Sequence, residues 1–176
     1  SAEPEDILGL QVFFDFRPVV GDKSLALALR RRIDARLALE PPFLLHYAMY
    51  ALQYKIPKPG GRVLNMKDVL MPVVNFARLY AFKNGIPDTH TLDRLRALLE
   101  IGLIKESLYE EAGQVYDQLM GMRLAHQARC AEQGRPPNND LETADLTQLE
   151  DTLLRQALSQ LGNLQKKISF DFLGSA

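Results

Sequence analysis

The sequence lacks the features that mark several large classes of protein. Among its 176 residues there is one cysteine, Cys130, so the chain forms no disulfide within itself and does not fit a secreted, disulfide-bonded scaffold. No stretch comes near the roughly 18 consecutive apolar residues that a membrane-spanning helix needs. The first residues, SAEPEDILG, also lack the pattern of a signal peptide. We therefore expect a cytoplasmic protein with no membrane partner.

Neither sign of charge is in excess. The chain has 21 basic and 22 acidic residues, for a formal net charge of −1, whereas nucleic-acid binders usually show a marked basic excess. Nucleic acid is therefore not an expected partner. Hydrophobic residues make up 47% of the chain, which is enough for one compact domain. Because the chain begins at Ser1, we interpret residues 1–9 as a tag remnant or linker, 10–170 as the domain and 171–176 as a tail.

The common catalytic motifs are also missing. There is no Walker loop, no dinucleotide-binding fingerprint, no His-Glu-x-x-His motif and no cysteine cluster. The three histidines, His46, His90 and His126, are far apart in sequence, which argues against a zinc site. The residues by themselves thus indicate no cofactor for this chain.

A strand is the first regular element that the sequence predicts, at residues 10–19. The segment LQVFFDFRPV alternates with a period of two through aromatic and β-branched residues, and Pro18 ends it. No other segment predicts a strand so clearly, and an unpaired strand leaves its backbone groups without hydrogen-bond partners. Either this strand lies on the helices or its sheet belongs to another part of the protein.

The rest of the chain predicts about six helices. Apolar spacing and breaking residues place them at residues 23–39, 43–55, 68–83, 91–101, 105–132 and from about 148 to about 170. Thr91 is the predicted N-cap of the fourth helix, and Thr147 with Glu150 predicts a capping box for the last. The predicted fold class is all-α, an antiparallel helical bundle with one N-terminal strand segment.

Several polar residues within the predicted helices are candidates for a structural or a ligand-binding role. Arg123, His126 and Gln127 share one face of the fifth helix, because they are three and four residues apart. They are either a polar network that fixes the helix register or a surface that faces a ligand. Arg78 lies within the apolar run PVVNFARLYAF, where a buried guanidinium needs a partner, and this favours a structural role.

Charge is also uneven along the chain. The segment between Glu40 and Asp68 has no acidic residue but contains the basic residues Lys55, Lys58, Arg62 and Lys67. The segment between Arg135 and Arg155 has no basic residue and five acidic ones. The basic segment either meets phosphate, whose oxygens match ammonium and guanidinium donors, or is a solvated loop paired with the acidic segment.

Several motifs occur in an order that resembles a known family. They are FFDFRPVVGD, LALALR, K-x-x-x-x-P-V-V-x-x-A-R-x-x-A-F-x-x-G-I, T-x-x-R-L, M-R-L-A-H-Q and P-x-N. Over residues 12–166 the chain resembles the putative nucleotidyltransferase substrate-binding domain. In that family the domain follows a polymerase-β-like nucleotidyltransferase domain in bacterial signalling proteins, which often carry CBS or cyclic-nucleotide-binding modules. The chain departs from the family at Asp140, where an aromatic residue is usual.

The resemblance implies a role for the first strand. Asp15, within Asp-Phe-Arg-Pro, looks like the third metal carboxylate of a catalytic site whose sheet lies in an upstream domain, with Arg17 beside it to meet phosphate or orient Asp15. The alternative is an Asp15 and Arg17 pair that simply ends a strand. Mg²⁺ and a nucleoside triphosphate are implied for the full-length protein. Because this chain lacks the Asp-x-Asp pair, we expect it to catalyse nothing alone.

The implied function is an accessory domain that closes one wall of the nucleotide/acceptor cleft of a nucleotidyltransferase, with the upstream domain as its partner. The substrate contacts implied by the motifs are Arg17, Lys67, Arg78, Arg94, Arg123, His126, Gln127 and Asn139. The alternative is a regulatory helical module that relays ligand state from CBS or cyclic-nucleotide-binding domains, or that forms a homodimer through apolar helix faces.

Overall fold

The structure is a computed structural model that describes residues 15–38, 41–58 and 62–174. Its helices are α1 (Lys23–Ala38), α2 (Pro41–Ala51), α3 (Met66–Lys83), α4 (Thr91–Glu100), α5 (Glu106–Glu132) and α6 (Gln148–Ile168). Two short antiparallel strands, β1 (Val63–Asn65) and β2 (Asp140–Glu142), form one small sheet. A 3₁₀ turn (Thr143–Asp145) follows β2, and a wide helical turn (Ser169–Leu173) extends α6. The predicted all-α class is confirmed.

Helix α3 is the centre of the bundle, because its residues are apolar on nearly every side. Val73, Phe76 and Leu79 are fully buried, and α2, α4, α5 and α6 all pack against this helix. A helix with so little polar surface gains most when neighbours cover all its sides. In the described part of the chain, no helix is long and apolar enough to cross a bilayer.

The helix ends test the capping residues that the sequence predicts. In the capping box of α6, Glu150 donates its backbone N–H to Thr147 Oγ1 at 3.2 Å, and Thr147 donates its own to Glu150 Oε2 at 2.8 Å, as predicted. Helix α3 begins two residues before the predicted start, because Asn65 caps it through the Asp68 N–H. The predicted cap at Thr91 is wrong. Thr91 is the first helical residue and is buried, and His90 precedes it at the cap position.

The strand predicted at residues 10–19 is only partly within the described residues, since 10–14 lie outside them. Residues 15–19 form no strand, which corrects that part of the prediction. The described strands β1 and β2 pair with each other, so neither serves this segment as a partner. Instead, the side chain of Asp15 attaches the segment to α3 and α4.

The small sheet joins the two segments of opposite charge. Leu64 lies opposite Leu141, and both side chains are buried. Beyond the ladder, Met66 N donates to the Asn139 carbonyl at 2.7 Å, and Asn65 Nδ2 donates to Asp140 Oδ1 at 2.8 Å. The basic segment is therefore paired with the acidic one, through backbone and amide hydrogen bonds.

Candidate anion-binding site

One carboxylate bridges two guanidinium groups, one buried and one mostly buried, where α3, α4 and the segment before α1 meet. Asp15 Oδ1 accepts from Arg94 Nη2 at 2.5 Å, and Asp15 Oδ2 accepts from Arg78 Nη2. The side chains of Arg94 and Arg78 are 2% and 11% exposed, and that of Asp15 is 27% exposed. Each carboxylate oxygen thus faces a different arginine. We call these three residues, with Tyr47 and Asn75, the arginine cluster.

Arg94 is held from two further directions. Its Nε donates to the Asp88 carbonyl at 2.6 Å, and its guanidinium lies 5.7 Å from the centroid of the Phe82 ring. Burial lowers the pKa of Arg94 and contacts with Asp15 oppose this, but a guanidinium titrates so far above neutral pH that it stays charged. Arg94 therefore keeps its position through contacts that do not involve Asp15.

Arg78 leads into a chain of buried polar groups. Its Nη1 donates to the Tyr47 hydroxyl at 3.2 Å, and that hydroxyl donates to Asn75 Oδ1 at 3.1 Å. Burial raises the pKa of Tyr47 to about 12, so its hydroxyl is protonated at neutral pH. Asn75 is fully buried, and its Nδ2 has no hydrogen-bond acceptor among the residues that the structure describes.

A cavity of about 410 Å³ lies beside the arginine cluster. Its walls are the segment after Asp15, one side of α1, the loop before α4 and the first turn of α4. The lining residues are Phe16, Arg17, Pro18, Lys23, Ala26, Leu27, Arg30, Pro87, Asp88, Thr89, His90 and Asp93. Arg94 ties two of these walls together, because it bonds both Asp15, which precedes Phe16, and the carbonyl of Asp88.

The chemistry of the cavity differs from wall to wall. The segment after Asp15 and α1 contribute the cations Arg17, Lys23 and Arg30, together with apolar side chains. The Arg30 guanidinium lies 5.0 Å from the centroid of the Phe16 ring. The loop before α4 and the first turn of α4 carry Asp88 and Asp93, and His90 Nδ1 lies 3.8 Å from Asp93 Oδ2. The cavity therefore offers three cations and an apolar surface, with two carboxylates in the remaining lining.

A second group of polar residues lies at the other end of α3, and we call it the loop network: Arg123, His126, Gln127, Asn138 and Asn139. Arg123 Nε and Gln127 Nε2 donate to Asn139 Oδ1 at 2.7 and 3.2 Å, and His126 Nε2 lies 2.9 Å from Asn138 Oδ1. These polar groups bind the loop before β2 to α5. This geometry favours the interpretation as a network that fixes the register over the interpretation as a ligand surface.

The loop network also fixes the tautomer of His126. Asn138 Oδ1 accepts the backbone N–H of Asp140 at 2.9 Å, so this atom is the amide oxygen. His126 Nε2 must then carry the proton that it shares with that oxygen. Cys130, buried one turn later, has its sulfur 3.6 Å from the same nitrogen. The ring is thus oriented by the loop and by its own helix.

The predicted site residues, which are the predicted metal carboxylate Asp15 and the predicted substrate contacts, separate into groups. Asp15, Arg78 and Arg94 meet in the arginine cluster, whereas Arg123, His126, Gln127 and Asn139 meet in the loop network. Arg17 lines the cavity, and the ion pairs of Asp15 are with Arg78 and Arg94. Lys67 is exposed in the first turn of α3, about 16 Å along the helix axis from Arg78 at 1.5 Å per residue.

A family model described as "Putative nucleotidyltransferase substrate binding domain" matches residues 41–172. The chain belongs to this family. The match takes in α2 to α6, and so it includes Tyr47, Asn75, Arg78 and Arg94 of the arginine cluster, while Asp15 lies outside it. No curated protein and no solved structure matches the chain.

The surroundings of Asp15 in this substrate-binding domain do not fit a magnesium ion. Mg²⁺ takes oxygen ligands in an octahedral arrangement, and nearby guanidinium groups repel it. Both Asp15 oxygens accept from guanidinium groups. Within the described ranges, no group of three or more His, Cys, Asp or Glu residues could hold a metal ion. The metal role of Asp15 stays a prediction that needs ligands from outside these ranges.

Sequence reasoning missed the three residues that hydrogen-bond around the two arginines of this substrate-binding domain, Tyr47, Asn75 and Asp88. Asn75 had a signal, because it is a polar residue inside the same apolar run as Arg78, and a buried amide needs partners. Asp88 contributes its backbone carbonyl, which side-chain chemistry does not reveal. Tyr47 lies among other aromatic residues of α2, and nothing local separates it from them.

Proposed function

We propose that this substrate-binding domain forms one wall of the nucleotide/acceptor cleft of a nucleotidyltransferase, and that the cavity beside the arginine cluster receives the substrate. The observation that carries the proposal is the set of cations, Arg17, Lys23 and Arg30, that lines this cavity together with apolar side chains. Arg94 donates to the Asp88 carbonyl, and this bond holds the loop before α4 in place as one wall of the cavity. A preorganised wall of this kind lowers the ordering cost of binding.

The cavity chemistry supports an anionic substrate with an apolar part. Its volume of about 410 Å³ is within the usual range for small-molecule sites. Arg17, Lys23 and Arg30 supply donors that suit phosphate oxygens, and Leu27 and Pro87 supply apolar surface for a base. A nucleoside triphosphate combines these two features in one molecule.

The domain's own contribution is binding and orientation. In the proposed full-length protein, an upstream nucleotidyltransferase domain supplies the Asp-x-Asp carboxylates and holds Mg²⁺, which polarises the phosphoryl group. The substrate-binding domain then fixes the nucleotide or acceptor against that centre. Modules that bind cyclic nucleotides, or CBS modules, would supply the signal in this arrangement.

Calorimetric titration of the chain with each of the four nucleoside triphosphates tests the proposal. We expect one or more of them to bind with a dissociation constant in the millimolar range or tighter. The double variant Arg17→Gln/Lys23→Gln should weaken that binding about tenfold or more, since each lost phosphate contact is worth on the order of 1 kcal/mol. No binding of any triphosphate would contradict the proposal.

A matched control comes from α1 itself. Arg31 and Arg32 are exposed, and neither lines the cavity. The double variant Arg31→Gln/Arg32→Gln removes the same charge as the cavity variant and should leave affinity within about twofold. An equal loss in both variants would mean that net charge, rather than the cavity, attracts the nucleotide.

One observation favours the regulatory or dimer-forming module as a second candidate function. Val19, Val20 and Leu25 are 83%, 93% and 71% exposed, which leaves apolar surface around the start of α1. Apolar surface of this kind commonly marks an interaction site. Sedimentation velocity distinguishes the candidates: a dimer with no nucleotide binding supports the module, and a monomer that binds nucleotide supports the substrate site.

A further inference from the structure

We infer that Arg78 and Arg94 form a receptor for a phosphate group, and that the Asp15 carboxylate occupies this receptor as an internal stand-in that the ligand displaces. The inference deepens the proposed function, on which it rests for the source of the phosphate. The receptor itself is argued from the contacts of the arginine cluster.

The way Asp15 is bound shows what the receptor recognises. Two guanidinium groups from different helices each donate to one oxygen of the same carboxylate. Guanidinium donors form the same paired hydrogen bonds with phosphate as with carboxylate. A phosphate group brings three oxygens and up to two negative charges to the place where Asp15 brings two oxygens and one charge. It therefore competes well for these donors.

Both arginines are positioned by contacts that would remain after Asp15 leaves. Arg94 is bonded to the Asp88 carbonyl and packs on Phe82, and Arg78 is bonded to Tyr47. Asn75, next in this chain of hydrogen bonds, also has an Nδ2 donor with no acceptor among the described residues. The receptor is thus preorganised and rich in hydrogen-bond donors.

The receptor and its stand-in belong to different parts of the chain. The family match includes Arg78 and Arg94, and it begins after the segment that carries Asp15. Asp15 and Phe16 are partly exposed and lie outside the buried core, and Arg17 to Gly21 are exposed. Among the described residues, Asp15 can therefore leave the two arginines without moving a residue of the buried core. Because Phe16, Arg17 and Pro18 line the cavity, its departure would also reshape one cavity wall.

The consequence for binding follows from competition. A tethered carboxylate acts on the receptor at a high effective concentration. The apparent affinity for an external phosphate is therefore reduced to the intrinsic affinity multiplied by the fraction of receptor that is open. Removing the charge of Asp15 while keeping its shape should remove that reduction. We expect Asp15→Asn to bind inorganic phosphate about tenfold more tightly than the unchanged chain.

Calorimetric titration of the whole chain with inorganic phosphate, at constant ionic strength, tests this expectation. Asp151→Asn is the matched control, because Asp151 is paired with an arginine, Arg155, and does not line the cavity. Adding Arg94→Gln to Asp15→Asn should abolish the gain. A gain below about twofold, or an equal gain in Asp151→Asn, would overturn the inference, since either would leave only a general effect of charge.

Carbon NMR of the unchanged chain is a second measurement, and it does not depend on a variant that folds. Saturating phosphate, compared with chloride at equal ionic strength, should shift the side-chain carboxyl ¹³C resonance of Asp15, because the carboxylate leaves its two guanidinium partners. An unmoved Asp15 resonance at saturation would overturn the inference.

The two proposals fail in different ways. If triphosphates do not bind the unchanged chain but Asp15→Asn gains phosphate affinity, the receptor stands and the proposed function fails. If triphosphates bind and Asp15→Asn does not change their affinity, the proposed function stands and the inference of a phosphate receptor at Arg78 and Arg94 fails.

Discussion

Asp15 and Arg94 are 79 residues apart in sequence, and they meet in an ion pair with a donor–acceptor distance of 2.5 Å. Arg94 is almost completely buried in the bundle, whereas Asp15 is partly open to solvent. The Arg94 side chain thus attaches the start of the described chain to α4. The same guanidinium group bonds two segments that line the neighbouring cavity, one through Asp15, which precedes Phe16, and one through the Asp88 carbonyl.

Replacing Arg94 with methionine should destabilise the domain. The substitution keeps much of the apolar volume but leaves Asp15 with one arginine and the Asp88 carbonyl without its donor. We expect a loss of about 2–4 kcal/mol in the free energy of unfolding, the lower end reflecting the partial exposure of Asp15. Urea unfolding followed by circular dichroism measures it. Arg96→Met, at an exposed position of the same helix, should stay within about 0.5 kcal/mol, and equal losses in the two variants would contradict the buried role of Arg94.

Tyr47 should contribute to unfolding at alkaline pH. Burial raises its pKa from 10.0 to about 12, so the folded state favours the protonated hydroxyl. This contribution to stability is complete below about pH 10 and is lost as the pH rises toward about 12. Burial also raises the pKa of Tyr54 and of Tyr80, so Tyr47→Phe should remove only part of the pH dependence.

The free energy of unfolding, measured in urea at intervals across this alkaline range, provides the test for Tyr47. Tyr109→Phe, at a partly buried position of α5 outside the arginine cluster, is the control. A slope in Tyr47→Phe identical to that of the control would show that Tyr47 does not titrate in this range.

Asn139 should be coupled to Arg123 in stability. Its Oδ1 accepts from Arg123 and from Gln127, so Asn139→Ala leaves two donors unsatisfied. We expect a loss of about 1–2 kcal/mol from the single substitution, since both donors retain some access to water. A double-mutant cycle with Arg123→Ala should give a coupling energy of about 1 kcal/mol. Strictly additive losses would mean that the hydrogen bond contributes nothing measurable.

The capping box of α6 should contribute to stability. Thr147→Ala should lower the free energy of unfolding by about 1 kcal/mol, the usual value for the loss of an N-cap side chain.

Glu150, the other residue of the capping box, should make stability sensitive to acid. The hydrogen bond from the Thr147 backbone lowers the pKa of Glu150. The carboxylate form therefore stabilises the fold above its ordinary pKa of 4.5, and this contribution is lost as the pH falls. Glu150→Gln should therefore reduce the sensitivity to acid. Thermal unfolding at neutral and acidic pH measures both effects. An unchanged melting temperature in Thr147→Ala would exclude the cap as a source of stability.

The sequence predicts well those features that depend on residues close together in the chain. Thr147 and Glu150 are three residues apart and form the capping box that their spacing indicates. The shared face of Arg123, His126 and Gln127 follows from the helical period in the same way, and all three do act together in the loop network. The predicted cap at Thr91 was wrong, because burial of its side chain outweighs its preference for a cap position.

Features that depend on distant residues were not predictable from local pattern. Strands β1 and β2 have three residues each, too few for a period-two signal, and 75 residues separate the bonded side chains of Asn65 and Asp140. The meeting of Asp15 with Arg78 and Arg94 is equally remote. The family resemblance predicted all three as site residues. The sequence pattern around each residue did not indicate that they lie together.

Guanidinium NMR tests the central claim of an anion site at the arginine cluster most directly. The chain, labelled with ¹⁵N at arginine, is titrated with the tightest-binding triphosphate, and the Nε–H resonances of Arg78 and Arg94 are assigned by substitution. The account predicts that both resonances shift and saturate together with the calorimetric binding curve, while the resonance of Arg96 stays in place. Saturation of the calorimetric curve with the Arg78 and Arg94 resonances unmoved would contradict it.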